Sequence, residues 1–255
     1  MDRLTRMTDH YIAFQAVSKS FGDNHVLQEV SFQVNSGETL VIMGRSGVGK
    51  SVMLAQLMGF LKPDYGRIIV AGEDITDLAE SELQRIHKKV TMVFQSGALF
   101  DSLSIFENVA FPLRERRDLK EDQIGQVVGG LLELLEIDEI AGSFPAELGT
   151  GMKRAAAIAR ALAAQPEAIL YDEPTTMVDP LMSQHIGDLI GKLKLQLKLT
   201  SVVVTHDTRL ARKIADQVMF LRDGRAVFWG TVPELDNCTD EWIREFMAED
   251  ERTTV

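Results

Sequence analysis

The sequence predicts an α/β domain with a central parallel sheet, an antiparallel strand subdomain and an inserted helical segment. The apolar run 39–43 does not alternate with polar residues, which is typical of a strand covered on both faces. The earlier run 30–34 does alternate, and this period indicates a half-buried antiparallel strand. Strand patterns stop near Gly97 and return only at Ala168. We therefore expect a helical insert over about 97–165.

The composition is that of one ordinary globular domain. The chain has 255 residues, 45% hydrophobic and 25% charged. A net charge of −11 argues against a nucleic-acid partner. Cys238 is the single cysteine, so no internal disulfide is expected, which suits a reducing compartment. No apolar run approaches the ~18 residues of a membrane helix, and the first residues lack a signal-peptide core, so a cytoplasmic protein is expected.

The first half of the chain alternates strand and helix patterns. The half-buried strand closes at the turn Asn35–Gly37, and a break at 62–66 precedes a short strand. The predicted strands cover 30–34, 39–43, 67–70 and 90–94. Predicted helices include one with Met53, Leu54, Leu57 and Met58 on its apolar face, and a charged one over 80–89 with Leu83 and Ile86 facing inward.

The second half begins with helices and then returns to strands. Trp242, Ile243 and Phe246 are spaced to pack a helical tail against the domain. The predicted helices cover 122–136, 152–164, a long stretch after Pro180, the region around Ile214 and the tail 233–248. The predicted strands cover 168–171 and 201–205, and a hairpin turns at Asp223-Gly224.

A glycine-rich loop follows the apolar strand 39–43 and precedes a helix. It reads GRSGVGKS, the phosphate-binding pattern G-x-x-x-x-G-K-[ST] in its strand–loop–helix context. Glycines let successive backbone N–H groups point at one anion, while Lys50 can reach the β- and γ-phosphates and Ser51 can bind Mg²⁺. The alternative is a glycine-rich turn without a ligand. We expect contacts to a nucleoside triphosphate from Gly44, Arg45, Ser46, Gly47, Val48, Gly49, Lys50, Ser51 and Val52.

Two carboxylates end the apolar strand 168–171. Asp172, at the end of a strand beside a phosphate loop, can hold Mg²⁺ or its waters. Glu173, the next residue, can orient or deprotonate the attacking water. In isolation such a pair indicates a solvated turn, but the phosphate loop upstream favours the catalytic interpretation.

Two polar residues follow other predicted strands, and each has two interpretations. His206 comes after the strand 201–205 and is either a structural residue or a contact to the γ-phosphate. Gln95 follows the strand 90–94 and is either a metal-binding amide or a strand cap. The residues alone leave both alternatives open.

Together these motifs resemble the ATP-binding cassette (ABC) ATPases over nearly the whole chain. In chain order they are Phe21, the phosphate loop, Gln95, the signature region Leu148–Met152, Asp172-Glu173, Asp179 and His206. The resemblance implies a P-loop NTPase fold with a RecA-like core, covering 10–240 as one nucleotide-binding domain and leaving 241–255 as a short tail. It also implies ATP and Mg²⁺ as ligands.

The resemblance assigns a role to each motif residue. Phe21 stacks on adenine, Gln95 links Mg²⁺ to the membrane partner, Glu173 activates water and His206 senses the γ-phosphate. The implied metal ligands are Ser51, Gln95 and Asp172. Half of each ATP site is expected from a second copy, whose signature contacts are Leu148, Gly149, Thr150, Gly151, Met152 and Asp179.

The segment 94–115 resembles its counterpart in the ATPases of Mce/Mla-type phospholipid transporters, the MlaF group. This resemblance implies a lipid transporter at the cytoplasmic face of a membrane, with permease subunits contacted through about 95–113. Mce-type lipid-binding subunits and small accessory subunits are further implied partners. The apolar residues proposed for docking are Leu99, Phe100, Ile105 and Phe106. Alternatively, these side chains pack the helical segment internally.

The signature departs from the family pattern L-S-G-G-[QM]. Here it reads LGTGM, so Gly149 replaces the serine and Thr150 replaces the following glycine. The loss of a hydroxyl toward the phosphate predicts a slow ATPase. Thr150 also predicts backbone strain, because a β-branched residue resists a positive φ.

Two other classes of ABC protein remain as alternatives. A member acting in DNA repair or translation is expected to show tandem cassettes, a coiled coil or zinc-binding cysteines, and none is in the sequence. A nucleotide-dependent structural subunit that hydrolyses weakly is permitted by the unusual signature. An ATPase of another ABC importer or exporter is the closest alternative to lipid transport.

Overall fold

The computed structural model describes residues 10–253, with side chains described up to residue 249. Its strands are β1 (Ile12–Phe21), β2 (Asn24–Val34), β3 (Thr39–Met43), β4 (Tyr65–Val70), β5 (Glu73–Asp74), β6 (Val90–Val93), β7 (Ala168–Asp172), β8 (Thr200–Thr205), β9 (Gln217–Arg222) and β10 (Arg225–Gly230). Its helices are α1 (Lys50–Leu57), α2 (Glu80–His87), α3 (Ile105–Arg116), α4 (Glu121–Leu134), α5 (Thr150–Ala163), α6 (Pro180–Leu197), α7 (Thr208–Ile214), α8 (Val232–Asp236) and α9 (Glu241–Thr253), with 3₁₀ turns at Asp138–Ile140 and Pro145–Glu147.

The larger sheet carries the parallel strands, in the order β10-β9-β3-β8-β7-β6. β3 pairs in parallel with both β8 and β9, while β10 is an antiparallel edge strand. Every residue of β3 is buried, which confirms the predicted central strand. β6 ends at Val93 and β8 begins at Thr200, each one residue earlier than predicted.

The smaller sheet is antiparallel, in the order β2-β1-β4-β5. Val30, Phe32 and Val34 of β2 are buried, which confirms the predicted half-buried strand. The turn after β2 closes where Glu38 N–H donates to the carbonyl oxygen of Asn35 at 3.1 Å. β4 begins two residues before its predicted start and α2 ends two residues before its predicted end.

The described chain between β6 and β7 is helical and contains no strand. α5 begins at Thr150, two residues earlier than predicted, because Gly149 has an extended backbone (φ −69°) and forms the N-cap. α5 packs against α3 and α4 of the helical segment and also against β6 and α6. It therefore joins the helical segment to the main sheet, and the insert boundary near residue 165 stays a prediction.

The apolar residues proposed for docking do not share one environment. Ile105 is fully buried in the core, so its predicted exposure is wrong. Leu99 and Phe106 are partly buried and pack against that core. Phe100 is 44% exposed, and its ring lies 4.9 Å from the ring of Phe111, which is 40% exposed. Ile105 and Phe106 begin α3, where one helix face covers the core, whereas Leu99 and Phe100 lie in the loop before that helix.

The C-terminal region contains a hairpin and two helices. Asp223 (φ 49°) and Gly224 (φ 74°) form the predicted turn between β9 and β10. The prediction of one continuous helical tail is wrong, because α8 ends at Asp236 and α9 begins at Glu241. α9 packs as expected, with the ring of Phe246 at 5.3 Å from the ring of Phe220. Within residues 10–253, no helix is both long enough and apolar enough to cross a membrane.

Candidate nucleotide-binding site

The phosphate loop connects β3 to α1 through three glycines with positive φ. Gly44 has φ 153°, Gly47 has φ 82° and Gly49 has φ 109°. A Cβ at Gly49 would lie 2.9 Å from Leu27 Cδ2, so this position also requires glycine for space. Gly49 is the N-cap of α1, and the N–H groups of the first turn of a helix have no partner within it. The loop therefore presents backbone donors to an anion.

The Lys50 side chain is buried beneath this loop. Its Nζ donates to the carbonyl oxygens of Gly44 at 2.7 Å and Arg45 at 3.2 Å. The same Nζ lies 3.3 Å from Oε1 of Glu173, the residue that directly follows β7. A fixed positive charge is thereby held next to the backbone donors.

Asp172 lies at the end of β7, next to the first turn of α1. The Ser51 hydroxyl donates to Asp172 Oδ1 at 3.3 Å. Burial raises the pKa of the Asp172 carboxyl above its usual value, although the bond from Ser51 acts in the opposite direction. The two oxygen groups predicted to bind metal are thus adjacent in the structure.

Glu173 has the densest set of polar contacts in the site. Its Oε2 accepts from the Thr176 hydroxyl at 3.0 Å and lies 3.0 Å from His206 Nδ1. Burial favours the neutral carboxyl, but the hydrogen bond with His206 and the charge of Lys50 outweigh it and lower the pKa of Glu173. Its backbone has φ 47°, and its N–H donates to the carbonyl oxygen of Val204 at 2.9 Å. Such backbone strain in a non-glycine residue is typical of functional sites.

These groups surround a cavity of about 350 Å³. Its lining is Val26, Ser46, Gly47, Gly49, Lys50, Ser51, Val52, Gln95, Glu173, Thr176 and His206. The cavity therefore brings together Gln95, Glu173, His206 and most of the predicted phosphate-loop residues. Val26 and Thr176 also line the cavity, and the sequence did not predict them. Thr176 lies three residues after Glu173, a spacing that signals a local turn, whereas nothing in the sequence marks Val26.

Phe21 does not line this cavity. It lies at the end of β1, where it is 50% exposed and Lys19 Nζ is 5.5 Å from its ring centre. Its adenine-stacking role stays a prediction.

The signature residues lie apart from the cavity, beside Asp179. Asp179 is the N-cap of α6 and accepts from Met182 N–H at 3.0 Å. A Cβ at Gly151 would lie 2.8 Å from Met182 Cε, so the start of α5 packs directly on the start of α6. The predicted strain at Thr150 is wrong, because Thr150 is the first helical residue of α5 and its φ is not positive. Gly149 and Thr150 are exposed, and neither lines the cavity beside this copy's own loop.

The arrangement can bind and hydrolyse a phosphoanhydride. Backbone donors and Lys50 neutralise phosphate charge, Ser51 and Asp172 offer oxygen ligands, and Glu173 is an ionised base within hydrogen-bond distance of His206. The fold and the site thus define the class of protein: a P-loop nucleoside triphosphatase. The family model described as ABC transporter matches residues 27–176. The chain belongs to the ABC transporter family and is an ATP-hydrolysing subunit coupled to transport.

Relatives with curated names include two phospholipid transport subunits. The intermembrane phospholipid transport system ATP-binding protein MlaF of Haemophilus influenzae is 39% identical over 94% of this chain and 91% of its own length. The protein of the same name from Escherichia coli K12 is 37% identical over 91% of this chain and 86% of its own. A Mycobacterium leprae protein, named probable ribonucleotide transport ATP-binding protein mkl, is 35% identical over 92% of this chain and 68% of its own. These matches confirm that the chain resembles the MlaF group.

Similar solved structures confirm the predicted fold class. A dimeric ATP-binding cassette in a post-hydrolysis state, bound to ADP and Pi, has a TM-score of 0.80 at 31% identity and covers 87% of this chain and 98% of that one. The cbiO1 subunit from Clostridium perfringens has a TM-score of 0.82 at 27% identity and covers 96% of this chain and 98% of that one.

Gly49→Ala should weaken ATP binding by about tenfold or more, since left-handed strain of ~1–3 kcal/mol adds to the contacts with Leu27 and Val26. Gly72→Ala is the matched control, because Gly72 also has a positive φ (73°) but has open space around its Cβ position. The measurement is ATP affinity by calorimetry, with unfolding free energy recorded for both variants. Equal ATP affinity in the two variants would contradict the steric role of Gly49.

Proposed function

We propose that this chain powers phospholipid movement between membranes through separate permease subunits, at the cytoplasmic face of the membrane. The observation that carries the proposal is 39% identity to MlaF over 94% of the chain. ATP hydrolysis as its energy source is supported by the cavity, where the proposed catalytic residues Glu173, His206 and Gln95 lie beside the nucleotide contact Lys50.

Glu173 is the proposed general base and His206 the proposed γ-phosphate contact. The lowered pKa of Glu173 keeps its carboxylate ionised and able to accept a proton from water at neutral pH. His206 Nδ1 at 3.0 Å orients that carboxylate, and the Thr176 hydroxyl fixes the same oxygen. Lys50 must leave Glu173 or the loop carbonyls when phosphate oxygens arrive, because an ammonium group has three donors.

Mg²⁺ fits the oxygen groups next to the loop. Mg²⁺ prefers oxygen ligands and is often held by one or two carboxylates together with substrate phosphates. Ser51 and Asp172 supply such oxygens 3.3 Å apart. Gln95 lines the nucleotide cavity together with Ser51. Bound there, the ion would neutralise charge on the phosphates. The raised pKa of Asp172 is consistent with a carboxylate that a cation would stabilise.

The proposed working unit is a dimer of identical chains. The similar solved cassette is dimeric in its ADP- and Pi-bound state. In this chain the exposed signature residues and Asp179 lie together and away from the cavity. A second copy could therefore bring its signature to this copy's ATP, completing a site that one chain leaves open.

The proposed permease contact is the segment 95–113. Phe100 and Phe111 form an exposed aromatic pair in this segment, and their apolar area suits a protein contact. Mce-type lipid-binding and small accessory subunits belong to the same proposal through the similarity to MlaF.

Ribonucleotide transport is a second candidate function. It is favoured by the Mycobacterium leprae relative, at 35% identity. Its match covers only 68% of that relative, against 91% of the Haemophilus influenzae MlaF. Phospholipid transport is therefore the function proposed, and the transport assay below compares the two substrates.

Lys50→Ala should weaken ATP binding by about tenfold to a hundredfold, because a charged hydrogen bond to phosphate is lost.

Glu173→Gln should keep ATP affinity but lower kcat by about a hundredfold or more, since it removes the base. Vesicles containing the chain with its co-purifying membrane proteins should move labelled phospholipid only with ATP, and neither variant should support that movement.

Lys88→Ala, at an exposed position far from the loop in sequence, is the matched charge control and should behave as wild type. Hydrolysis by Glu173→Gln at the wild-type rate would refute the base assignment. Movement of labelled ribonucleotide instead of phospholipid would replace the proposed substrate.

Phe100→Asp should reduce pull-down of the permease by about tenfold or more, because a carboxylate in an apolar contact must be desolvated. ATP affinity should not change, since Phe100 does not line the cavity. Val227→Asp is the matched control, because Val227 is 45% exposed on the edge strand β10. An unchanged pull-down for Phe100→Asp, measured by co-purification, would mean that this residue does not dock.

Gly149→Ser should raise kcat by about tenfold, because it restores a hydroxyl able to bond a charged phosphate of the partner's ATP. The site has room, since a Cβ at Gly149 meets nothing within 4 Å, and serine is a favoured N-cap for α5. Gly142→Ser, with equally open space, is the control. An unchanged or lower kcat in a steady-state ATPase assay would show that LGTGM is already a competent signature.

A further inference from the structure

A tight turn follows β6 and carries Gln95. We call residues 94–97 the Gln95 turn. It closes where Gly97 N–H donates to the carbonyl oxygen of Phe94 at 2.8 Å, and Gly97 has φ 77°. Gln95, the second residue of the turn, lines the nucleotide cavity. The position of this turn therefore sets the position of Gln95.

Two arginines of α5 hold the two ends of the Gln95 turn. Arg154 Nη1 donates to the carbonyl oxygen of Phe94, the first residue of the turn. Arg160 Nη2 donates to the carbonyl oxygen of Gly97, the last residue, at 3.2 Å. The Arg160 guanidinium also lies 5.6 Å from the ring centre of Phe100, which extends the contact beyond the turn.

The backbone of the turn also packs directly on α5. A Cβ at Gly97 would lie 3.5 Å from the carbonyl oxygen of Lys153 and 3.6 Å from Ala157 Cβ. Ala157 lies three residues from each arginine, so it is between them on the helix surface. A small residue there lets the turn come close enough for both guanidinium groups to reach it.

Arg154 is an unusual group to bury for packing alone. It is only 2% exposed, and within residues 10–249 its Nε has no hydrogen-bond partner. Its charge is attracted by Asp172, at the end of β7. Burying a cation is costly, and apolar side chains of similar size often stabilise a protein as well or better. The burial of the Arg154 guanidinium is therefore better explained by its hydrogen bond to the Phe94 carbonyl oxygen than by core packing.

We propose that Arg154 and Arg160 are positioning residues that fix the Gln95 turn to α5. Through them, Gln95 is held over the nucleotide cavity by the helix whose N-terminus carries the signature residues Gly149–Met152. This inference rests on the proposed role of Gln95 toward Mg²⁺.

The test is a double-mutant cycle on the full chain, purified with its co-purifying membrane proteins. Arg154→Met should lower kcat by about tenfold with KM for ATP within about twofold, because the phosphate loop is untouched. In a Gln95→Ala background the same change should alter kcat by less than about twofold, since Arg154 acts through Gln95. Arg154→Lys should recover most of the loss, because an ammonium group can still donate to the Phe94 carbonyl.

Arg114→Met is the matched control, because Arg114 pairs with Glu121 on the surface of the helical segment. It should leave kcat unchanged. Amide hydrogen exchange supplies a second readout: the Gly97 amide should exchange about tenfold faster in Arg154→Met, while amides of α5 and β6 keep their wild-type rates. If Arg154→Met does not fold, Arg160→Met replaces it in the cycle, and the same pattern is expected.

Additive effects of Arg154→Met and Gln95→Ala on kcat would overturn the positioning role. Additivity would not affect the proposed function, provided that the wild-type chain hydrolyses ATP and Glu173→Gln does not. Faster exchange throughout α5 would mean that Arg154 merely stabilises the helix, which also overturns the proposal. A Gln95→Ala variant with wild-type kcat would remove both the proposed role of Gln95 and the inference built on it.

Discussion

The site depends on the register of three neighbouring parallel strands. β3 pairs with β8, and β8 pairs with β7, so their carboxyl ends reach one edge of the sheet. Met43 is opposite Thr205, and Asp172 is opposite Val204. The phosphate loop, His206 and Glu173 each follow one of these strands directly. A shift of register in any of the three would separate Lys50 from Glu173, which lie 3.3 Å apart.

Two adjacent carboxylates acquire opposite properties at this edge. Burial raises the pKa of Asp172, whereas at Glu173 the hydrogen bond with His206 and the charge of Lys50 together outweigh burial and lower the pKa. Successive residues at the end of a strand point in different directions, so each meets a different environment. Asp172 is suited to a neighbouring cation, which would favour its charged form, and Glu173 is suited to accept a proton from water. A single Asp-Glu pair can therefore supply two roles.

α5 joins the parts of the molecule that transport must connect. Its N-terminus carries the signature, and its arginines hold the Gln95 turn. It also packs on α3, which carries Phe111, and its Arg160 lies 5.6 Å from the ring centre of Phe100. Gly149 provides no side-chain cap, so the first N–H groups of α5 remain available to an anion from outside the chain. One helix thus contacts the Gln95 turn and the segment proposed for permease docking, and it carries the signature proposed to meet a second copy.

The sequence by itself determined the helical insert between strand-rich parts, the central strand Thr39–Met43 and the phosphate loop, because hydrophobic period and glycine chemistry act locally; it did not predict the strand β1 or the helix α3. It could not separate buried Ile105 from exposed Phe100, since only the packing of the helical segment decides which apolar side chains face the core. It misjudged Thr150, because a helix that begins two residues earlier gives that residue an ordinary φ. The contacts of Glu173 with Lys50 and His206, and of Arg154 with Phe94, span 33 to 123 residues of chain. Only the tertiary structure decided them, because strand pairing brings distant segments together and sequence spacing carries no record of that approach.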